Sequence, residues 1–317
     1  MNPLRVLVCG TNYGRIYLEA IRLGGPAYRL VGILARGSTR SQLLARDYGV
    51  PLYCQVEDLV PGIDLACAAM GTSGTEVVLS VLSRGIHVLC EHPQRPSQLR
   101  AALHAAISRG LCFHVNGHFA NLPPTATFIT YCRRKSEAEP ASFFQVTATD
   151  RSLYAALDIL HRVIVSFAPY DFHVSSRLQP FTLVQGILGG VPVTLQLQCG
   201  DVRNRLPDGS STYLVDHHIA VGFPSGVLTL MSMNGPVIWN ANLNSQASST
   251  EPLFEAVQEK CALTCTELHE HRVSANLSAI SALVKNIREG VRPPEQASDY
   301  LLEVSSTWEI LGALLQK

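Results

Sequence analysis

The sequence predicts an α/β domain with a parallel sheet, followed by an α+β domain with an open, mostly antiparallel sheet. Up to about residue 118, short β-rich runs alternate with helical segments, which is typical of parallel strands flanked by helices. Beyond Pro123 and Pro124 the pattern changes, after one further helix, to β-like runs joined by turns. We expect domains at 1–118 and 119–317, and the final helices of the second can pack back on the first.

In the first domain, strands and helices alternate along the chain. Apolar runs predict six strands, and the segments between most of them have helical periodicity. The predicted strands lie at 5–9, 29–35, 51–54, 63–70, 87–90 and 112–116. The predicted helices lie at 15–23, 40–48, 75–84 and 96–109.

The second domain is predicted from longer β-like runs and two closing helices. The segments 188–191 (Leu-Gly-Gly-Val) and 223–226 (Phe-Pro-Ser-Gly) have the composition of tight turns between strands. An uncovered apolar sheet face would be a liability, so we expect one face to bind substrate and the other to form a homodimer. The predicted strands lie at 143–149, 181–188, 191–199, 214–222 and 227–233, and the helices at 276–290 and 296–315.

Composition and charge argue against several classes of protein. The chain is 47% hydrophobic and 16% charged, and its formal net charge of +0 provides no field to attract nucleic acid or an anionic membrane. It has neither an apolar stretch of roughly 20 residues nor a signal-peptide layout, so we expect a cytoplasmic protein. The Cys and His spacings match no metal-binding motif, and we expect no metal.

A glycine-containing turn follows the first predicted strand and opens the first helix. Backbone N–H groups and the helix dipole at such a turn can bind a pyrophosphate. The full three-glycine fingerprint is missing, because Val8 occupies the usual first position, and a plain turn is the alternative. The predicted cofactor-binding residues here are Gly10, Thr11, Asn12 and Tyr13.

The turn after the second strand predicts which cofactor is bound. An NAD enzyme usually has Asp or Glu at this position to bind the ribose hydroxyls, whereas residues 35–41 read Ala-Arg-Gly-Ser-Thr-Arg-Ser. Two guanidinium groups and several hydroxyls suit a 2′-phosphate, so we predict NADPH; the alternative is a solvated basic turn. The residues in question are Arg36, Ser38, Arg40 and Ser41, and small polar contacts to the ribose-nicotinamide half are expected from Gly71, Thr72 and Ser73.

The segment 88–93 (Val-Leu-Cys-Glu-His-Pro) resembles the Glu-Lys-Pro element of the Gfo/Idh/MocA oxidoreductase family, with His92 in place of the lysine. More narrowly, the runs 32–38, 115–123 and 157–160 resemble the thiazolinyl imine reductases of siderophore assembly lines.

The resemblance implies an NADPH-dependent reduction of a thiazoline C=N bond to a thiazolidine, on a substrate tethered to a nonribosomal peptide synthetase carrier protein. It also implies that Glu91, His92 and Pro93 lie at the cofactor. Two alternatives remain open. One is a sugar or polyol dehydrogenase of the same fold, against which the missing lysine argues; the other is a catalytically silent NADPH-binding partner protein.

The imine nitrogen needs a proton source, and imidazole is suited to that role because its ordinary pKa lies near 6.5. His92 is the first candidate. The family often has a tyrosine after the last strand of the nucleotide domain, where this chain has Phe119, so His118 or water is the alternative. We expect Phe119, Tyr154 and Asp158 to line the substrate pocket, although Tyr154 at helical spacing also suits a core position.

Overall fold

The computed structural model describes residues 2–199, 216–242, 253–257 and 262–316. The chain divides into two compact units. Unit 1 comprises Met1–His118 and His269–Ser305, and unit 2 comprises Phe119–Leu268 and Ser306–Lys317. The segment from His269 to Ser305, which the prediction placed in the second domain but allowed to pack back on the first, belongs to unit 1.

Unit 1 contains a six-stranded parallel sheet with the strand order β3-β2-β1-β4-β5-β6. This order, with helices between successive strands, is that of the Rossmann fold, and it confirms the predicted fold class. The strands are β1 Leu4–Cys9, β2 Tyr28–Leu34, β3 Leu52–Tyr53, β4 Leu65–Ala68, β5 His87–Glu91 and β6 Phe113–Asn116. The helices between them are α1 Arg15–Leu23, α2 Thr39–Asp47, α3 Thr75–Ser83 and α4 Pro96–Ile107.

A helix from late in the chain completes the core of unit 1. This helix, α7 Cys265–Glu289, buries Ile280 and Leu283 in the same apolar cluster as Tyr17 of α1. Burial of these side chains is the physical reason that the segment belongs to unit 1. Just beyond α7, the side-chain amide of Gln296 bonds both the N–H and the C=O of Val115 on the edge strand β6, at 2.8 Å each.

The start of α7 differs from the prediction, which placed the helix at 276–290. The structure begins the helix at Cys265, because Thr264 and Glu267 form a reciprocal cap. The backbone N–H of Thr264 donates to the Glu267 carboxylate at 2.8 Å, and the Glu267 N–H donates to the Thr264 hydroxyl at 3.3 Å. The Thr-x-x-Glu signature of this capping box is visible in the sequence and was missed.

Unit 2 contains an eight-stranded sheet with the order β14-β13-β12-β11-β7-β10-β9-β8. Among the described strands of this second sheet, only β7 and β10 pair in parallel, which confirms an open, mostly antiparallel sheet. The strands are β7 Phe143–Thr149, β8 Tyr170–Leu178, β9 Phe181–Leu188, β10 Val191–Gln198, β11 His218–Phe223, β12 Gly226–Leu230, β13 Val237–Ala241 and β14 Phe254–Ala256. The remaining helices are α5 Pro123–Ala138, α6 Leu153–Val163 and α8 Ser298–Gln316, the last of which begins in unit 1.

Both predicted tight turns connect neighbouring strands, β9 to β10 and β11 to β12. Strands β8, β13 and β14 were not predicted. β8 lies at the sheet edge and most of its residues are partly or fully exposed, so it has no continuous apolar run. The first residues of the predicted strand 214–222 lie outside the described part of the chain. Among the residues described, no helix is both long and apolar enough to cross a membrane.

Candidate active site

The glycine turn between β1 and α1 has a backbone that other residues could not adopt. Gly10 has φ +92°, and a Cβ added to it would lie 2.6 Å from the carbonyl oxygen of Ala69. A Cβ on Gly14 would lie 2.0 Å from the Gly10 oxygen. Helix α1 then begins without a side-chain cap, so no side chain occupies the N-terminus of this helix.

The other predicted residues of this turn differ in exposure. Thr11 is buried, whereas Asn12 and Tyr13 are exposed. Gly71, Thr72 and Ser73 belong to a short 3-10 helix, Gly71–Gly74, which follows the carboxyl end of β4. Both turns therefore follow carboxyl ends of neighbouring strands, where open α/β sheets bind their ligands.

The turn after β2 presents its two arginines to solvent. Arg36, Ser38 and Arg40 are exposed. Ser41 is 1% exposed, and its hydroxyl donates to the Ser38 carbonyl at 2.7 Å, so the structure gives Ser41 a role in holding the first turn of α2. That Ser41 contacts the cofactor stays a prediction, and we call the three exposed residues the basic turn.

A buried carboxylate lies at the carboxyl end of β5. The Glu91 Oε2 atom accepts hydrogen bonds from the Tyr17 hydroxyl at 2.5 Å and from the Asn116 amide at 3.1 Å. The Oε1 atom lies 3.2 Å from His92 Nδ1 and 3.8 Å from His118 Nδ1. We call these five residues the Glu91 cluster.

Burial by itself would raise the pKa of Glu91. The hydrogen bond from His92, the charges of His92 and His118 and the hydrogen bond from Tyr17 together outweigh that effect, so the pKa lies below its ordinary value. Burial and the nearby Glu91 carboxylate raise the pKa of the Tyr17 hydroxyl well above the usual range. The cluster thus contains an ionised carboxylate and a neutral phenol.

The hydrogen bonds of His92 determine which of its nitrogens is available for chemistry. His92 Nδ1 lies 2.6 Å from the backbone oxygen of Asn116, an atom that can only accept a hydrogen bond. Nδ1 therefore carries a hydrogen, and Nε2 is the nitrogen that can release or take up a proton. The side chain of His92 is 6% exposed. The peptide bond between His92 and Pro93 is cis.

The ligand atoms of Glu91, His92 and His118 lie within 4.8 Å of one another, a spacing at which side chains can share a metal ion. Because Nδ1 of His92 carries a hydrogen, only its Nε2 atom could bind a metal. That no metal is bound stays a prediction.

His118 is 1% exposed and contacts both imidazole and phenol neighbours. Its Nε2 atom lies 2.9 Å from the hydroxyl of Tyr13, and its ring centroid lies 5.6 Å from that of His92. The structure thus brings both predicted catalytic histidines to one carboxylate. It also ties His118 to Tyr13, a contact that no pattern in the sequence indicates.

Three buried polar residues around Glu91 were not predicted as part of the site. Tyr17 lies on the apolar face of α1, where the sequence suggests only packing. Asn116 ends β6, and its amide also donates to Asn276 Oδ1 on α7 at 2.8 Å. No local motif connects these positions, because they are 99 and 160 residues apart along the chain.

The predicted substrate residues of unit 2 have packing partners within that unit. Tyr154 is 3% exposed and lies edge-on to Trp308, with ring centroids 6.4 Å apart. Asp158 is 6% exposed and pairs with Arg162 Nε at 3.2 Å. These contacts place both side chains in the interior of unit 2, and their contact with substrate stays a prediction.

Phe119 lies at the start of unit 2, in the short 3-10 helix His118–Asn121. Its ring packs edge-on against the imidazole of His217, with centroids 5.8 Å apart. It remains a candidate for the substrate pocket.

Comparison with family models identifies the class of protein. Residues 4–117 match the Gfo/Idh/MocA model, described as an oxidoreductase family with an NAD-binding Rossmann fold. The chain is therefore a Rossmann-fold oxidoreductase. Residues 139–240 match the C-terminal domain of Irp3-like thiazolinyl imine reductases. Residues 4–117 thus have a domain of the Gfo/Idh/MocA family and residues 139–240 one of the Irp3-like type, and the two matches confirm the resemblance in the sequence.

Solved structures similar to this chain share its fold over nearly its whole length. Levoglucosan dehydrogenase in complex with NADH and levoglucosan has a TM-score of 0.75 at 12% identity, covering 99% of this chain and 97% of that one. UDP-N-acetylglucosamine 3-dehydrogenase GnnA from Acidithiobacillus ferrooxidans has a TM-score of 0.71 at 15% identity, covering 100% of both chains. Identities this low support the fold alone. No curated protein sequence matches the chain significantly.

Proposed function

We propose that this protein is an NADPH-dependent reductase that converts the C=N bond of a thiazoline into a thiazolidine. The match of residues 139–240 to the Irp3-like domain is the observation that carries this proposal. The replacement of the family's lysine by His92 supports it, because that lysine normally handles the hydroxyl proton of a sugar.

The glycine turn and the basic turn fit a dinucleotide. The turn at Gly10 and Gly14 has no room for side chains, and α1 begins there without a side-chain cap. Arg36 and Arg40 are exposed cations that suit a 2′-phosphate, and residues 35–41 contain no carboxylate to repel it. When bound, NADPH supplies the hydride for the reduction.

The Glu91 cluster supplies the proton. His92 holds its Nδ1 hydrogen on the Asn116 carbonyl, so a positively charged imidazole presents the acidic hydrogen of Nε2. The ionised carboxylate of Glu91, 3.2 Å from Nδ1, stabilises that positive charge. His92 gives the Nε2 proton, directly or through one water, to the thiazoline nitrogen, and becomes neutral.

The substrate is proposed to arrive as a thioester on a nonribosomal peptide synthetase carrier protein in the cytoplasm, during assembly of a siderophore. A homodimer is proposed through the sheet of unit 2. In support, one face of that sheet has a groove of about 670 Å³ lined by Phe143, Gln145, Asp171, Gln185 and Ile187, among others. Phe143 and Ile187 are exposed apolar side chains within it. Light scattering should report twice the chain mass, and a monomeric mass would remove the dimer from the proposal.

The reductase proposal is tested with a synthetic aryl-thiazoline thioester and reduced cofactor. Absorbance of the reduced nicotinamide should fall with NADPH and the thiazoline, and the product should have the mass of the thiazolidine. Common sugars and polyols with NADP⁺ serve as the parallel assay. Turnover of a sugar in place of the thiazoline would assign a dehydrogenase, and binding of NADPH with no turnover of either would indicate a silent partner protein.

A further inference from the structure

We infer that the Tyr13 hydroxyl is a second proton donor to the substrate nitrogen and is recharged by His118. This inference rests on the proposed reduction of a C=N bond. It starts from the contact between Tyr13 and His118, in which the phenol oxygen lies 2.9 Å from Nε2 of the imidazole.

The position of His118 means that its proton must leave through another group. The residue is 1% exposed. Its Nδ1 atom faces the Glu91 carboxylate at 3.8 Å, and its Nε2 atom faces the Tyr13 hydroxyl. Tyr13, by contrast, is 37% exposed and lies in the turn between β1 and α1, at the carboxyl edge of the sheet. Within unit 1, Tyr13 is thus the most exposed member of a chain that continues from its hydroxyl through His118 to Glu91.

The proton transfer balances without a free tyrosinate. The O–H bond of Tyr13 breaks as an N–H bond forms on the thiazoline nitrogen. At the same time the Nε2–H bond of a charged His118 breaks, and its proton moves to the Tyr13 oxygen and restores the phenol. His118 becomes neutral with its hydrogen on Nδ1, towards Glu91. The hydride at carbon is the one that the proposed function takes from NADPH, which is oxidised to NADP⁺.

The electrostatics of Tyr13 require this concerted transfer. Burial around the ring and the negative charge of Glu91 raise its pKa well above the usual range, and this outweighs the lowering effect of Asn276 and Arg272. A lone tyrosinate is therefore costly, whereas a phenol that receives a proton while releasing one stays neutral. The Glu91 carboxylate compensates the charge on His118 as it does that on His92, so the two donors share one anion.

An N-methylthiazolinium ion separates proton donation from every other role of Tyr13. Its nitrogen already carries a positive charge, so its reduction needs hydride alone. The substitution Tyr13→Phe is made in the His92→Ala protein, where the second donor carries the remaining activity. We expect turnover of the neutral thiazoline to fall by a further factor of about 100, and turnover of N-methylthiazolinium to stay within about twofold. His118→Gln should reproduce both results.

Tyr28→Phe is the matched control, since it also removes one phenol hydroxyl from unit 1, here one that lies 3.1 Å from Ser281 Oγ. It should change neither rate. If Tyr13→Phe slows both substrates equally, Tyr13 positions the cofactor or substrate and the inference is wrong. An unmodified protein that reduces N-methylthiazolinium but not the thiazoline would likewise overturn it. Failure of the unmodified protein with both compounds would instead overturn the reductase proposal.

A second readout needs neither cofactor nor substrate. The ¹⁵N chemical shift of His118 Nε2 reports its hydrogen bond to the phenol in the free protein. We expect Tyr13→Phe to move this resonance and Tyr28→Phe to leave it in place. An Nε2 resonance that is the same in all three proteins would contradict the contact on which the inference depends.

Discussion

The basic turn and the Glu91 cluster are both candidate functional regions of unit 1, yet they are built in opposite ways. The residues of the basic turn are neighbours in the sequence, and their side chains are exposed. The Glu91 cluster draws its five members from α1, β5, β6 and the segments just after β5 and β6, and all but His92 are buried. An exposed site can be built by a short sequence motif, whereas a buried site depends on distant segments that pack together.

This difference has energetic consequences. Charges in water are screened, so each arginine of the basic turn should contribute modestly and in a way that salt weakens. Groups in the Glu91 cluster have exchanged water for one another, so removal of one member leaves others unpaired. We therefore expect large, coupled effects in the cluster and small, additive effects in the turn.

The largest expected effect is that of Glu91→Ala on stability. The substitution leaves two imidazoles, a phenol and an amide without their buried carboxylate, and should lower the free energy of unfolding by about 4 kcal/mol. Glu19→Ala is the matched control, because Glu19 pairs with His269 at 2.6 Å on side chains that are 32% and 53% exposed. It should cost less than about 1 kcal/mol. Urea unfolding measures both, and equal losses would contradict the comparison.

His114 is a second buried group of unit 1, and it tests whether burial of a side chain has a large effect on the free energy of unfolding. Desolvation lowers the pKa of His114 to about 4, although its hydrogen bond with Asn286 opposes the shift. Below pH 6.5 the unfolded chain takes up a proton at His114, while the folded protein stays neutral down to about 4. The free energy of unfolding should therefore decrease as the pH falls through this window, by up to about 3 kcal/mol.

His114→Gln should flatten this part of the stability curve, whereas replacement of the exposed His104 by Gln should leave it unchanged. The window is distinct from that of Glu91, whose lowered pKa removes its contribution only below the ordinary carboxylate range. A curve with the same slope in the His114 variant would show that other groups cause the acid sensitivity.

The third prediction concerns catalysis at His92. His92→Ala should reduce turnover of the thiazoline by about 100-fold, the low end of what general acid catalysis contributes. The pH dependence of turnover is the decisive measurement. A titration near neutrality should disappear in the variant, and one that survives unchanged would exclude His92 as its source. A loss below about fivefold would indicate that His92 only positions the substrate.

The smallest expected effect is that of the basic turn on cofactor choice. Replacing Arg36 and Arg40 together by Ala should reduce the preference for NADPH over NADH by at least about tenfold, since a charged hydrogen bond contributes about 1.5–3 kcal/mol. Binding of both cofactors to the parent and the variant, at low and high salt, measures this. Equal affinity of the parent for NADPH and NADH would contradict the assignment of the turn.

Much of the fold was predictable because it depends on local patterns. The predicted helix at 15–23 agrees with α1, and the strands of unit 1 lie within a few residues of their predicted positions. The elements that the sequence analysis did not predict also have local explanations. The edge strand β8 is mostly partly or fully exposed and so has no apolar run, and the capping box that begins α7 was not used.

The candidate site was predictable only in part. Glu91 and His92 were chosen from the segment that resembles the family's Glu-Lys-Pro element, and His118 was chosen because its neighbour Phe119 cannot donate a proton. Their mutual distances were not predictable, and neither was the role of Tyr17, which reads as an ordinary core residue. Asp158 was assigned to substrate from the resemblance to the wider family and Tyr154 from its nearness to Asp158. Both are buried in unit 2, and sequence spacing cannot distinguish a pocket wall from a buried interior.

By itself, the sequence determined the α/β class, the glycine turn, the exposed arginines and the family, because each follows from residues that are close together in the chain. The tertiary structure alone decided that a single carboxylate is shared by two imidazoles, which nitrogen of His92 carries a hydrogen, and that Tyr13 bonds His118. Those features depend on side chains from residue 13 to residue 276 meeting away from water, where each hydrogen bond is set by its partners rather than by solvent.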